Sequence, residues 1–145
     1  MQGCYACAGC SSSCGLLTAQ IGNLSDGSGP SGYSNNANCE WMIAPFSALF
    51  ITLRFTELST QAGVDIIRVF QCTDIVCSQQ QQLAELSGWY SVPQAVTSST
   101  GFMKVVFTSD GSINYDGFRA SWISVSLCPF FAPKTAGQAM DFVDL

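Results

Sequence analysis

The sequence predicts an all-β protein folded as an antiparallel sandwich, and three observations carry that prediction. Apolar and polar residues alternate in short runs: Ile51, Leu53 and Phe55 with Thr52, Arg54 and Thr56; Met103, Val105 and Phe107 with Lys104 and Thr108; Phe118, Ala120 and Trp122 with Arg119 and Ser121. Successive side chains of a strand point to opposite faces, so each run reads as a half-buried strand. Turn-forming clusters at residues 25–34, Gly63, 98–101 and 110–117 separate the runs at the short intervals of a sandwich. Eight cysteines in a chain of 145 residues read as disulfide staples.

Three zones follow one another. Residues 1–13 form a small, polar, Cys-rich arm, too short for a core and able to hold a shape only if stapled. The body spans residues 14–125. The tail, 126–145, carries Cys128, Pro129 and Pro133 and ends in a strand-compatible run with Met140, Phe142, Val143 and Leu145. Within the body, residues 107–122 read as a β-hairpin, two alternating patterns joined by a short acidic loop. Residues 78–85 hold four glutamines and no apolar face before Leu83, and read mainly as a loop. No signal peptide is visible at Met1, so a processed chain or a fragment is expected.

Composition excludes several function classes. Five basic against ten acidic residues give a net charge of −5, with no Lys/Arg cluster to hold phosphates, so nucleic acid is not an expected partner. The longest apolar stretches, such as residues 41–53, are broken well short of the ~20 residues of a spanning helix. Charged residues are only 10% of the chain against roughly a quarter in ordinary soluble domains. A surface so poor in charge suits one covered by neighbouring subunits or glycan.

The Cys4, Cys7, Cys10 and Cys14 spacing also suits zinc or an iron–sulfur cluster, but the chain has no histidine, and Cys39 and Cys72 stand in strand-like surroundings. Disulfides and secretion are the favoured reading. The sequon Asn23-Leu24-Ser25 agrees with it and makes Asn23 a candidate glycosylation site.

Four segments in order resemble one family. Residues 33–43 carry Tyr33, Asn36, Cys39, Trp41 and Ile43 in a Y-x-x-N-x-x-C-x-W-x-I pattern; Ile51-Thr52-Leu53-Arg54-Phe55 precedes Val64-Asp65-Ile66-Ile67-Arg68-Val69-Phe70; residues 107–122 follow F-x-S-D-x-S-x-x-x-x-G-F-x-A-x-W. Together with Cys14-Gly15, these are similar to CUB domains, extracellular jelly-roll-type β-sandwiches that bind proteins and sometimes glycans. The physical reading agrees: Trp41 lies two positions after Cys39, so indole and half-cystine share a strand face toward the core.

The resemblance implies a Cys14–Cys39 bridge, contributing roughly 3–4 kcal/mol in the chain-entropy model. The family's second bridge is missing, its two ends falling on Ala62 and Ser87. Cys72 and Cys77, five apart in a polar loop, are expected to bridge each other. The pairing of Cys4, Cys7, Cys10 and Cys128 stays open, between a tie from the arm to Cys128 and intermolecular bonds.

The resemblance also implies a calcium site at one end of the sandwich. Asp65 and Asp110 occupy two of the three expected carboxylate positions; the third aligns with Gln61, a neutral oxygen donor. Tyr33, Ser112 and Asn114 are candidate supporting groups. Glu57 lies too early and would join only if the loop were re-routed. No cofactor is required, and the simpler role of Asp110 and Ser112 is to cap the turn through hydrogen bonds to the backbone. Where calcium binds in the family, the same loops receive a partner's lysine or arginine.

Catalysis is not expected: the acids are scattered, histidine is absent, and no Gly-rich phosphate loop opens a helix. Two non-catalytic readings remain for a secreted or cell-surface module. The favoured one is a self-assembling subunit of a filament or matrix, with Met140, Phe142, Val143 and Leu145 adding a strand to a neighbouring copy. The alternative is a module that grips a protein or glycan with its end loops, with calcium as a candidate aid.

Overall fold

The computed structural model describes residues 7–8, the first two by backbone alone, 15–26, 32–91 and 93–126. Ten strands are defined there: β1 (Cys7–Ala8), β2 (Gly15–Leu17), β3 (Ile21–Ser25), β4 (Asn38–Ile43), β5 (Ala48–Ser59), β6 (Ile66–Cys72), β7 (Gln80–Leu86), β8 (Gln94–Ser98), β9 (Met103–Thr108) and β10 (Gly117–Ser126). One sheet runs β1-β4-β9-β6-β7, with β2 also on β4; the other runs β3-β10-β5-β8. Pairing is antiparallel except between β2 and β4, where Gly15, Leu16 and Leu17 run parallel to Trp41, Met42 and Ile43.

The alternating residues meet between the sheets. Ile51, Leu53 and Phe55 of β5 and Phe118, Ala120 and Trp122 of β10 face Cys39, Trp41, Val105 and Phe107 of the other sheet, all buried. Phe118 is the hub: its ring meets those of Trp41 (5.8 Å), Phe55 (5.8 Å) and Phe107 (5.5 Å) in tilted, edge-on arrangements. Burying each such side chain contributes about 1.5–3 kcal/mol, and the ring geometry adds to that. Trp122 lies so close over Gly22 that a Cβ there would come within 2.2 Å of the indole, whose Nε1 donates to the Ala19 carbonyl at 3.0 Å.

A second, smaller cluster covers the other face of β4, where Met42, Ala44 and Cys72 pack with Leu16, Cys77 and Phe102. Cys72 and Cys77 are bonded to each other and close the β6–β7 turn over this cluster. Cys39 is also disulfide-bonded, and its partner is not among the described side chains. Cys4, Cys10, Cys14, Cys128 and the tail run Met140–Leu145 lie outside the described residues, as does any side chain of Cys7.

Two expectations are corrected. The glutamine-rich stretch is a strand, β7, pairing with β6 from Ile67↔Leu86 to Cys72↔Gln80. It lies at the sheet edge, where polar side chains are no obstacle, and Gln71 Nε2 donates to Gln81 Oε1 at 3.0 Å. A register shift at Val69/Phe70 disturbs the alternation. The expected hairpin over 107–122 is instead an arch: β9 pairs with β4 and β6, and β10 with β3 and β5, so the two strands belong to opposite sheets. Both present an apolar face inward, which an arch allows and a flat hairpin in one sheet would also have allowed; the intervening residues 109–116 are long enough to cross the sandwich.

Candidate functional site

The loops at one end of the sandwich converge on Asp65. In the β5–β6 turn the Gln61 carbonyl accepts from the amides of Val64 (3.1 Å) and Asp65 (3.0 Å), with Gly63 at a φ of +73°. Asp65 is fully buried, a costly place for a carboxylate unless its oxygens are satisfied. Both are: Oδ2 accepts the Tyr33 hydroxyl at 2.5 Å, and Oδ1 accepts the Asp110 amide at 2.9 Å. The Tyr33 oxygen in turn accepts the Gln61 amide at 3.0 Å, while its ring stands edge-on to Phe107. Burial first, then the bond to Asp65, push the Tyr33 hydroxyl well above the usual tyrosine range; the Gln61 amide opposes the shift.

The arch over residues 109–116 is fastened to the same point. Ser109 Oγ donates to the Ser34 carbonyl at 2.7 Å and accepts the Ala37 amide at 2.9 Å. The Asp110 carbonyl accepts from Asn36 at 2.7 Å, and Asp110 Oδ1 accepts the Ser112 amide at 3.1 Å. The Asn114 side-chain amide donates to the Tyr33 carbonyl. Between them Ile113 adopts a φ of +63°, unfavourable for a β-branched residue, and is exposed together with Tyr115.

Tyr33, Gln61, Asp65, Asp110, Ser112 and Asn114 are therefore brought to one end of the molecule. Glu57 is not: it points outward from β5 and pairs with Arg119 of β10 at 3.1 Å, both side chains exposed. The continuous strand up to Ser59 leaves no re-routed loop to carry it. Gln61 Oε1 is buried and has no hydrogen-bond partner among the described residues. Among the described residues no three or more His, Cys, Asp or Glu side chains gather as metal ligands, so the cluster offers two carboxylates and otherwise neutral oxygens.

Where the second family bridge would lie, Ser87 Oγ accepts the Gly63 amide at 2.9 Å. Asn23 is exposed on β3, opposite Ser121. It borders a cavity of about 400 Å³ whose walls include Leu24, Trp41 and Arg119.

Two fastening residues escaped sequence reasoning. Thr60 Oγ1 donates to the Asp65 carbonyl at 2.9 Å and accepts the Gly88 amide at 3.0 Å, linking the turn to the β7–β8 connection. Asp26 is buried after β3, and its Oδ2 accepts the Phe118 amide at 2.8 Å. Its carboxylate fills the space beside Gly117, where a Cβ would come within 1.7 Å of it and φ is +93°. The Gly117-Phe118 pair was a signal that something approaches closely there; nothing in a Gly/Ser-rich loop singled out Asp26.

Comparison with known proteins places this architecture. The CUB domain profile matches residues 10–122. The chain is 34% identical over 120 residues to cubilin of Sus scrofa, covering 78% of this chain and 3% of cubilin. It is 38% identical over 115 residues to multiple epidermal growth factor-like domains protein 8 of Rattus norvegicus, covering 79% of this chain and 4% of that protein. The chain thus spans a small part of these relatives' length. The crystal structure of the MASP-1 CUB2 domain bound to Ca2+ superimposes with a TM-score of 0.62 at 20% identity, over 74% of this chain and 96% of that one. A CUB module is a non-catalytic unit found in extracellular and cell-surface proteins. With profile, relatives and two-sheet architecture in agreement, this chain belongs to the CUB family.

Proposed function

We propose that this chain is a secreted binding module that grips a protein partner with the loop end built around Asp65, and that calcium strengthens the grip. The observation that carries this reading is the pairing of a fully buried, doubly bonded Asp65 with a buried Gln61 Oε1 that has no partner. An orphaned buried oxygen is costly unless something supplies a positive charge or a donor. The residues present fit a hard cation: Asp65 and Asp110 would supply the charge, with Gln61 Oε1 as a neutral ligand and Ser112 and Asn114 beside them. Calcium bound there would neutralise the two carboxylates. The MASP-1 CUB2 domain, bound to Ca2+, supports the reading by likeness of fold.

The rest of the work falls to this chain's own groups. Tyr33 and Asp65 hold the β5–β6 turn and the arch in one arrangement, so the surface is organised before a partner arrives. Exposed Ile113 and Tyr115 give the arch an apolar crown, and the net charge of −5 favours a partner presenting lysine or arginine. A glycan is the other ligand class compatible with such loops. The self-assembly reading rests on Met140, Phe142, Val143 and Leu145, outside the described residues, and the observations favour the binding module over it.

Calorimetric titration with calcium tests the site. The unaltered protein is expected to bind, Asp110→Ala to lose binding, and Gln61→Glu to bind at least tenfold more tightly because it restores the third carboxylate. Heat-silent titrations of both the unaltered protein and Gln61→Glu, with folding intact, would sink the calcium reading.

A further inference from the structure

Among the described residues β3 is the edge of the four-stranded sheet, paired with β10. Ile21, Asn23 and Ser25 share one side of it, as alternate residues of a strand do, while Leu24 turns into the core. Asn23-Leu24-Ser25 is a sequon, an asparagine two positions before a hydroxyl residue with no proline between. Asn23 is exposed opposite Ser121, which in turn lies opposite Arg54 of β5. No hydrogen bond or ion pair joins these three side chains to another of the described residues.

Asn23 also borders the cavity of about 400 Å³, whose lining combines Thr56, Arg119 and Ser121 with Leu24 and Trp41. Small-ligand sites have volumes of roughly 300–1,000 Å³ and mix hydrogen-bonding groups with apolar surface in the same way. Arg119 is steadied by Glu57 at 3.1 Å, and its carbonyl accepts the Thr56 hydroxyl at 3.3 Å where the two strands shift register. Toward the opposite end of this face Ile21 lies opposite Ile123, and Phe50 opposite Val125, all exposed. Asn23 therefore stands at the boundary between a polar and an apolar half. A saccharide has the same division, with hydroxyl and acetamido groups at its edge and C–H bonds on its ring faces, so it can bond to Arg119, Ser121 and Thr56 while resting against Ile21 and Ile123.

We propose that Asn23 carries an N-linked oligosaccharide whose first sugar, an acetamido sugar, is seated in this cavity against Arg119, Ser121 and Thr56. The donor is an oligosaccharide linked to a lipid diphosphate. The bond from Asn23 Nδ2 to the anomeric carbon forms, the bond from that carbon to the diphosphate oxygen breaks, and the departing lipid diphosphate keeps the electron pair and takes up the proton that Nδ2 gives up. This requires passage through the secretory route, which the proposed function also assumes, and nothing from the calcium site. The seated sugar covers charge-poor sheet surface and leaves the loop end to partners.

The test uses the full chain secreted by a host that performs N-glycosylation. Intact mass spectrometry should show one oligosaccharide, absent from Asn23→Gln, and a peptide-N-glycosidase should remove it with conversion of Asn23 to aspartate. The seat is read from the rate of that removal. It should be at least tenfold slower from the folded protein than from the denatured chain, and severalfold faster in folded Arg119→Ala and Ser121→Ala than in the unaltered protein, circular dichroism confirming the fold of each. A secreted chain without oligosaccharide at Asn23 overturns the proposal. So does an unchanged rate in both alanine variants, which would mean a sugar hanging free of the sheet. Calcium titration of Asn23→Gln keeps this proposal apart from the calcium reading: it should match that of the unaltered protein whatever the outcome at Asn23.

Discussion

The Tyr33 hydroxyl stands between a buried carboxylate and a backbone amide, donating to Asp65 and accepting from Gln61, so its proton has one partner and its oxygen another. Its raised pKa means that folding favours the neutral phenol. The sign follows: the contribution is fully present below the unfolded tyrosine value of about 10 and is lost as pH rises beyond it. Tyr33→Phe should cost roughly 1–3 kcal/mol at neutral pH, the usual consequence of leaving buried groups unsatisfied. Urea denaturation at pH 7 and pH 11 checks this, since the gap between the unaltered protein and Tyr33→Phe should narrow at the higher pH. A gap that stays constant would show that the phenolic proton does not matter to the fold. In absorbance titration Tyr33 should ionise only as the protein unfolds.

Among the elements, the β5–β6 turn and the β7–β8 connection are held together by hydrogen bonds where relatives of this family would place a bridge. Ser87 holds the Gly63 amide, Thr60 holds Gly88, and the Ala62 Cβ lies 3.5 Å from where a Gly88 Cβ would be. Introducing Ala62→Cys with Ser87→Cys should therefore form a bond and raise stability by about 2–4 kcal/mol. Free-thiol counting and the urea midpoint would report both parts, and a pair of thiols that stays free would show the two segments to be misaligned for bonding. The same elements show what could be read in advance. β5, β9 and β10 were legible because apolar and polar residues alternate along them, whereas β4, Tyr33, Asp65 and Asp110 came through the resemblance to CUB domains. β7 was not, because an edge strand of glutamines has no apolar stripe to announce it. Nor did the alternation of β9 and β10 say which sheet each joins: an inward face is the same signal from either side. Thr60 and Asp26 were invisible because their roles come from residues 28 and 92 positions away.

At the scale of the whole molecule the two ends of the sandwich differ in chemistry, one polar and acidic, the other apolar. The β5–β6 turn and the arch after β9 both pass from one sheet to the other at the acidic end. The Tyr33–Asp65–Asp110 bonds join the ends of β4, β6 and β9, three neighbouring strands of one sheet whose pairing brings together segments 32 and 45 positions apart. Such contacts, far apart in sequence, are expected late in folding. This arrangement makes the acidic end a latch on the lifetime of the folded state: loosening it with Tyr33→Phe should speed unfolding severalfold while leaving the refolding rate nearly unchanged. Stopped-flow chevrons would show it, and a mainly slowed refolding limb would mean the latch forms early. In a family whose modules occur in extracellular and cell-surface proteins, where unfolded chains have little chance of rescue, the persistence that such a latch confers counts for more than the depth of the energy well.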